Sequence, residues 1–115
     1  MADQQASYID VTGKDFAEQV LQAPNMVIVN FTSSKSSACQ IFEPEFEVIS
    51  KEYADRVTFA RLDVDTNTDL TNQWQVDGIP TLIFLKNGQE INRIKGIVMR
   101  EKLRRQIEGV LLAHF

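Results

Sequence analysis

The sequence predicts an α/β fold, a mixed central sheet with helices on both faces, from three observations. Two runs, Met26–Phe31 and Thr81–Leu85, are apolar or β-branched almost throughout, as strands buried on both faces of a sheet are. Between them Cys39, Phe42, Phe46, Ile49 and Tyr53 recur at steps of three and four, which places all five on one face of a helix of about 18 residues starting near Ser36. Asn87-Gly88 then separates two strand-like runs and is the strongest short-range hairpin signal. Alternating strands and helices give a parallel part, and the hairpin adds antiparallel strands.

The elements follow in order. Tyr8-Ile9-Asp10-Val11 reads as a short strand, and Thr12 offers a hydroxyl cap to a helix whose apolar face is Phe16, Ala17, Val20 and Leu21. Pro24-Asn25 ends it, and Met26–Phe31 is the central strand. Pro44 falls inside the long helix, where a missing donor predicts a kink, and Asp55-Arg56 close that helix. Val57–Asp63 alternates as a strand, and the cap-rich Asp65-Thr66-Asn67 opens a shorter helix to Gln75. Strands Thr81–Leu85 and Glu90–Lys95 form the hairpin, and Gly96 ends the second. A last helix over Arg100–Ala113 turns Leu103, Ile107, Val110 and Leu111 inward. Its Arg100, Lys102, Arg104 and Arg105 read as a solvated basic face.

At 115 residues the chain is long enough to bury a core without disulfide or metal staples, so one domain over residues 1–115 is expected. A net charge of -4 argues against nucleic acid or an anionic membrane as partner. No apolar run approaches the roughly 20 residues that cross a bilayer. The polar start Met1-Ala2-Asp3-Gln4-Gln5-Ala6 lacks the basic and apolar regions of a secretory signal, and a cytoplasmic location is expected. The chain has one cysteine and one histidine, which excludes a disulfide framework and a thiolate-rich zinc site. His114, next to the C-terminus, reads as a solvated side chain. No metal or cofactor is implied.

The stretch Lys35-Ser36-Ser37-Ala38-Cys39, where the central strand hands over to the long helix, holds that single thiol. Helix N-terminal amides favour a thiolate, yet one sulfur cannot close an internal disulfide. Two readings of Cys39 stand side by side: a small buried hydrophobe in the helix seam, or a functional thiol. Ser36 suits a helix cap.

Taken with Val29-Asn30-Phe31, Pro44, Gly78-Ile79-Pro80-Thr81, Lys86-Asn87-Gly88 and Gly96, the stretch resembles the thioredoxin family over nearly the whole chain. The resemblance implies the thioredoxin fold and a cis bond before Pro80 beside the active-site loop. It also implies a substrate-binding surface at Lys35, Ser37, Ala38, Ile79, Pro80 and Gly96, with the Ile79 backbone free to pair with an extended substrate chain. Thioredoxins read Trp-Cys-Gly-Pro-Cys in this loop, so Ser36 stands at the attacking position and Cys39 at the resolving one. A serine hydroxyl without an adjacent base is un-ionised near neutral pH and cannot form the mixed disulfide through which exchange runs.

Other departures accompany it. The family's buried aspartate is Asn30, its nearby lysine is Arg61, its tryptophan before the motif is Lys35, and the aromatic after Phe31 is Thr32. Asn30 and Arg61, expected as a buried second layer behind the thiol, cannot trade protons as their counterparts do. Ser36-Ser37-Ala38-Cys39 is similar to the Ser-x-x-Cys of chaperedoxin thioredoxin domains. That likeness implies a protein-homeostasis role: holding client proteins, with Cys39 able to pair with a client or glutathione but without catalysed dithiol exchange. The alternative is an active-site Cys-to-Ser variant of a disulfide-reducing thioredoxin. A monomer is expected, with a Cys39-linked dimer open to it under oxidation.

Overall fold

A computed structural model of the chain describes residues 7–114, so the segment at residues 1–6, read above as polar and leaderless, lies outside the described residues. The middle of the sheet is β2, Met26–Thr32, whose seven residues are all buried. It pairs in parallel with β3, Val57–Asp63, and antiparallel with β4, Thr81–Lys86. The outer strands are β1, Tyr8–Val11, parallel to β3, and β5, Gln89–Lys95, antiparallel to β4. The order β1-β3-β2-β4-β5 is the predicted mixed sheet. Asn87 and Gly88 turn the β4–β5 hairpin at φ 54° and 78°, both in the left-handed region that a two-residue primed turn requires.

Strand alternation sends side chains to two cores. On one face Ile28, Phe59, Leu82 and Phe84 pack against helix α1, Ser37–Glu52, and helix α3, Arg100–Ala113, through Phe42, Phe46, Ile49, Leu103 and Ile107. On the other, Val27, Val29, Phe31, Leu62 and Ile83 meet Phe16 and Val20, with Leu70 of the short helix α2, Thr68–Gln73, and Trp74 alongside. Helices thus cover both faces.

Two predicted helices differ. After Thr12 the chain forms a turn and then a π-helical turn, Ala17–Leu21. Thr12 does not cap it: the N-cap is Phe16, with no side-chain bond, while within the preceding turn Asp15 Oδ1 accepts from Thr12 N at 2.7 Å and Thr12 Oγ1 accepts from Lys14 N at 3.2 Å. The turn then widens, with Gln22 N donating to Ala17 O, so Phe16 and Val20 face inward while Ala17, expected inside, is exposed. Helix α2 stops at Gln73, short of the predicted Gln75, which takes a left-handed φ of 56°. Asn67 does not cap it with its side chain. Its Oδ1 instead accepts from Gly13 N, and its Nδ2 donates to Asp63 O.

Helix α1 runs unbroken through Pro44 and ends with Tyr53 as its C-cap, before the predicted Asp55-Arg56. Helix α3 has the predicted bounds. Two residues of its basic face are ion-paired across to α1: Arg104 forks onto Glu52 at 2.6 and 2.7 Å, and Arg100 onto Glu45 at 3.0 and 3.2 Å. Glu45 also accepts from Arg100 N at 3.0 Å, supplying from another helix the cap that Met99 does not give. Among the described residues no helix is long and apolar enough to cross a membrane.

The hydrogen bonds from Arg100 hold the Glu45 carboxyl below its usual range, and those from Arg104 do the same for Glu52. A carboxyl whose folded pKa is depressed stabilises the fold above its unfolded pKa, about 4.3, and loses that contribution as pH falls through the folded value. The melting temperature should therefore fall on acidification below about pH 4.5, and Glu45→Gln should cost about 1 kcal/mol at pH 7 while flattening that acid slope. Calorimetry from pH 3 to pH 7 checks both; an unchanged slope in Glu45→Gln refutes the assignment.

Candidate functional site

Strand β2 delivers the chain to the centre of the sheet edge, and the loop at Ser33–Ser36 turns it into α1. Ser33 organises that loop: its hydroxyl donates to Asp65 Oδ2 at 2.6 Å and accepts from Lys35 N at 3.1 Å, and its carbonyl accepts from Ser36 N at 3.2 Å. Gln40 Nε2 bridges back to Ser34 O at 2.8 Å. Ser36 is the N-cap, with extended backbone and an Oγ that accepts from Cys39 N at 3.2 Å. That bond is the cap pattern expected of serine, and it commits a lone pair of the Ser36 hydroxyl to the helix backbone. Cys39 is 3% exposed and free. Lys35 and Ser37 are exposed and Ala38 is half-buried.

On the β4 side of this loop the Ile79–Pro80 bond is cis, as the resemblance implied. Thr81 Oγ1 donates to Gly78 O at 2.6 Å, and Gly96 N donates to Pro80 O at 2.8 Å, so the segment before β4 is held from both sides. Gly96 sits at φ +85°, a conformation that disfavours a side chain. Pro80 is buried, whereas Ile79 is half-buried. Ile97 and Met99, just beyond Gly96, are exposed apolar side chains.

Of the two residues expected as a buried second layer, Asn30 is buried and Arg61 is half-buried. Asn30 is 1% exposed, and its Oδ1 has no hydrogen-bond partner. It lies between Arg61 and Leu82, its cross-strand neighbours. The Arg61 side chain is 33% exposed rather than buried, because Tyr8 and Asp10 of β1 and Glu43 of α1 draw the guanidinium outward. It forks onto Asp10 at 2.7 and 3.2 Å, pairs with Glu43 at 2.8 Å, and donates to the Tyr8 hydroxyl at 3.0 Å while lying over the Tyr8 ring. The Asp10 hydrogen bond pushes the Arg61 pKa further up, so it carries a permanent charge. Burial, with the Glu43 carboxylate beside it, pushes Tyr8 up to about 12.

Sequence reasoning missed Ser33, Gln40, Asp65 and the group Tyr8, Asp10, Glu43. A usable signal existed for some of them. Glu43 follows Cys39 by four residues and so shares its helix face, and Tyr8 and Asp10 alternate on a strand.

Beneath the start of α1, on the β3 side, a cleft of about 620 Å³ is walled by Thr32, Ser33, Cys39, Glu43, Arg61 and Asp63 among others. Among the described residues no cluster of acids, histidines and cysteines could hold a metal ion.

A mixed sheet of this order, a Ser-x-x-Cys at the head of α1 and a cis proline before β4 define a thioredoxin-fold protein with a single thiol. The thioredoxin family model matches residues 7–109. A thioredoxin of Mycobacterium tuberculosis is 37% identical over 108 residues, covering 94% of this chain and 93% of the relative. A thioredoxin of Alicyclobacillus acidocaldarius is 34% identical over 94 residues, covering 82% of this chain and 90% of the relative. The chain belongs to the thioredoxin family of redox proteins.

Restoring a carboxyl at position 30 should expose how dry this layer is. In Asn30→Asp, burial without a partner raises the folded pKa above the unfolded value near 3.9, so the unfolded state binds fewer protons and stability falls as pH rises. Denaturant melts of Asn30→Asp should show lower stability at pH 8 than at pH 5, a loss absent from the parent; equal stability at both would show that water or a donor reaches the site.

Proposed function

We propose that this is a cytoplasmic thioredoxin-family domain that binds client proteins at the surface formed by Lys35, Ser37, Ala38, Ile79, Pro80 and Gly96, without catalysing dithiol–disulfide exchange. In this reading Cys39 forms mixed disulfides with a client or a small thiol partner, which shields the sulfur from further oxidation. Ser36 holds the helix end. The observation that carries the proposal is the Ser36 hydroxyl capping Cys39 N in a chain with one cysteine. Exchange needs a thiolate at the first position to attack and a second to resolve, and only the second exists. The neutral amide of Asn30 and the permanently charged Arg61 support the same view, since neither relays a proton. Client holding is the role suggested by similarity to chaperedoxin thioredoxin domains.

A second reading is supported by the relatives' name, thioredoxin, and by the match over nearly the whole chain. In it the same scaffold, given a cysteine in place of Ser36, is a protein-disulfide reductase.

Insulin reduction with dithiothreitol or a thioredoxin reductase separates the two. The chain as it stands should not accelerate reduction over the reagent alone, and rapid turnover would sink the binding proposal. Ser36→Cys should remain at least about tenfold slower than a dithiol thioredoxin because Asn30 cannot assist proton transfer, a contribution typically worth a hundredfold or more. Full activity in Ser36→Cys favours the second reading.

A further inference from the structure

The segment from Trp74 to Pro80 leads from the end of α2 to the client surface at Ile79 and Pro80, and its two ends are held differently. At the Pro80 end the sheet holds it: Gly96 N donates to Pro80 O at 2.8 Å, and Thr81 lies opposite Lys95. At the Trp74 end the chain has left α2, and Gln75 takes φ 56°. Residues other than glycine populate that left-handed region sparsely and keep it where their surroundings impose it. Gln75 N and Val76 N donate back to Asn72 O and Thr71 O at 3.0 and 3.1 Å. The Trp74 and Gln75 carbonyls need partners from elsewhere.

One side chain supplies both. Arg93 of β5, opposite Ile83 of β4, donates through Nη2 to Trp74 O at 2.9 Å and through Nη1 to Gln75 O at 3.1 Å. Its Nε and Nη2 also donate to the two Glu90 oxygens, each at 2.8 Å. Those bonds to Glu90 push the Arg93 pKa further up, so the charge is permanent. The Arg93 side chain is 19% exposed, which shields the fork from most of the solvent. A planar guanidinium meets a carboxylate and two carbonyls at once, a set that the single nitrogen of lysine cannot match. Further along, Thr81 Oγ1 donates to Gly78 O at 2.6 Å, and Lys95 pairs with Asp77 at 3.6 Å, where both partners are exposed and the pair contributes little.

We propose that Arg93 is a positioning residue for client binding: its fork fixes the backbone at Trp74 and Gln75, and with it the course of Val76–Ile79 into the client surface. This deepens the client-binding reading and rests on it. Arg93 acts through the loop rather than by contact with the client, by setting the fraction of molecules whose loop is ready to receive one. Apparent affinity scales with that fraction, so a competent population reduced to about one fifth raises the apparent Kd about fivefold.

The chain's single tryptophan lies at the clamped end with its indole Nε1 buried, so release of the loop has an optical signature separate from binding. The test compares the parent with Arg93→Lys, Arg93→Met and Ile79→Ser. The client probe is fluorescently labelled, reduced and carboxymethylated α-lactalbumin, a permanently unfolded chain, and the loop is read in the free protein by acrylamide quenching of Trp74. Both Arg93 variants should raise the probe's Kd about fivefold and make Trp74 easier to quench. Amide exchange at Gln75 and Val76 should quicken while that of β2 stays as in the parent, which separates loop release from general destabilisation. Arg93→Lys keeps the charge without the fork and decides the matter if Arg93→Met fails to fold. A parent-like Kd in Arg93→Lys, with Ile79→Ser impaired, overturns the positioning role, as does quickened exchange with an unchanged Kd. A parent that does not bind the probe, or binds it equally well with serine at position 79, overturns the client-surface reading and this proposal with it.

Discussion

Strand β2 has no solvent face and no free edge, and the rest of the molecule is arranged around that constraint. Its backbone groups are engaged by β3 on one side and β4 on the other, in opposite senses. A slip of one residue would exchange Val27, Val29 and Phe31 with Met26, Ile28 and Asn30 between two different cores, so the register is fixed by packing on both faces. That register decides where the chain leaves the sheet. Phe31 against Thr81 and Thr32 against Asp63 bring the loop out between the cis proline segment and the end of β3, and α1 begins there.

Helix α1 is held by charge as well as by its apolar stripe. Glu45 and Glu52 reach α3, and Glu43 reaches Tyr8 and Arg61 on the far strands. Exposed ion pairs taken singly contribute little, but two bidentate arginine pairs tie α1 to α3, and a single Arg61–Glu43 bond adds to them on the sheet side. The element that carries Ser36 and Cys39 is thus located by long-range contacts in two directions. Its position does not depend on a covalent link in the loop.

The fold was legible because its strongest determinants are periodic or local. The run at Met26–Phe31, the three-and-four spacing from Cys39 to Tyr53 and the Asn87-Gly88 turn each name an element without reference to the others. The misread places are those where side chains compete with the helical ladder. Asp15 closes a turn on Thr12 and the ladder beyond it widens over Ala17–Leu21, and Asn67 spends its amide on Gly13 and Asp63 rather than on α2. At the site, the serine cap and the buried asparagine could be read from residue type and position. The outward swing of Arg61 could not, since it depends on Asp10 and Glu43, brought beside it by sheet pairing and helix docking.

The capping bond from Cys39 N to Ser36 has a bearing on regulation. In a paired-cysteine loop the two sulfurs are a chemical variable, joined or separate according to the surrounding redox potential, and the neighbouring surface differs between the two forms. An oxygen at position 36 offers no such pair of states: the hydroxyl accepts from the same amide whatever the ambient potential. With one sulfur the loop has no internal two-electron couple, and the Ser36–Cys39 cap bond is not itself a redox variable.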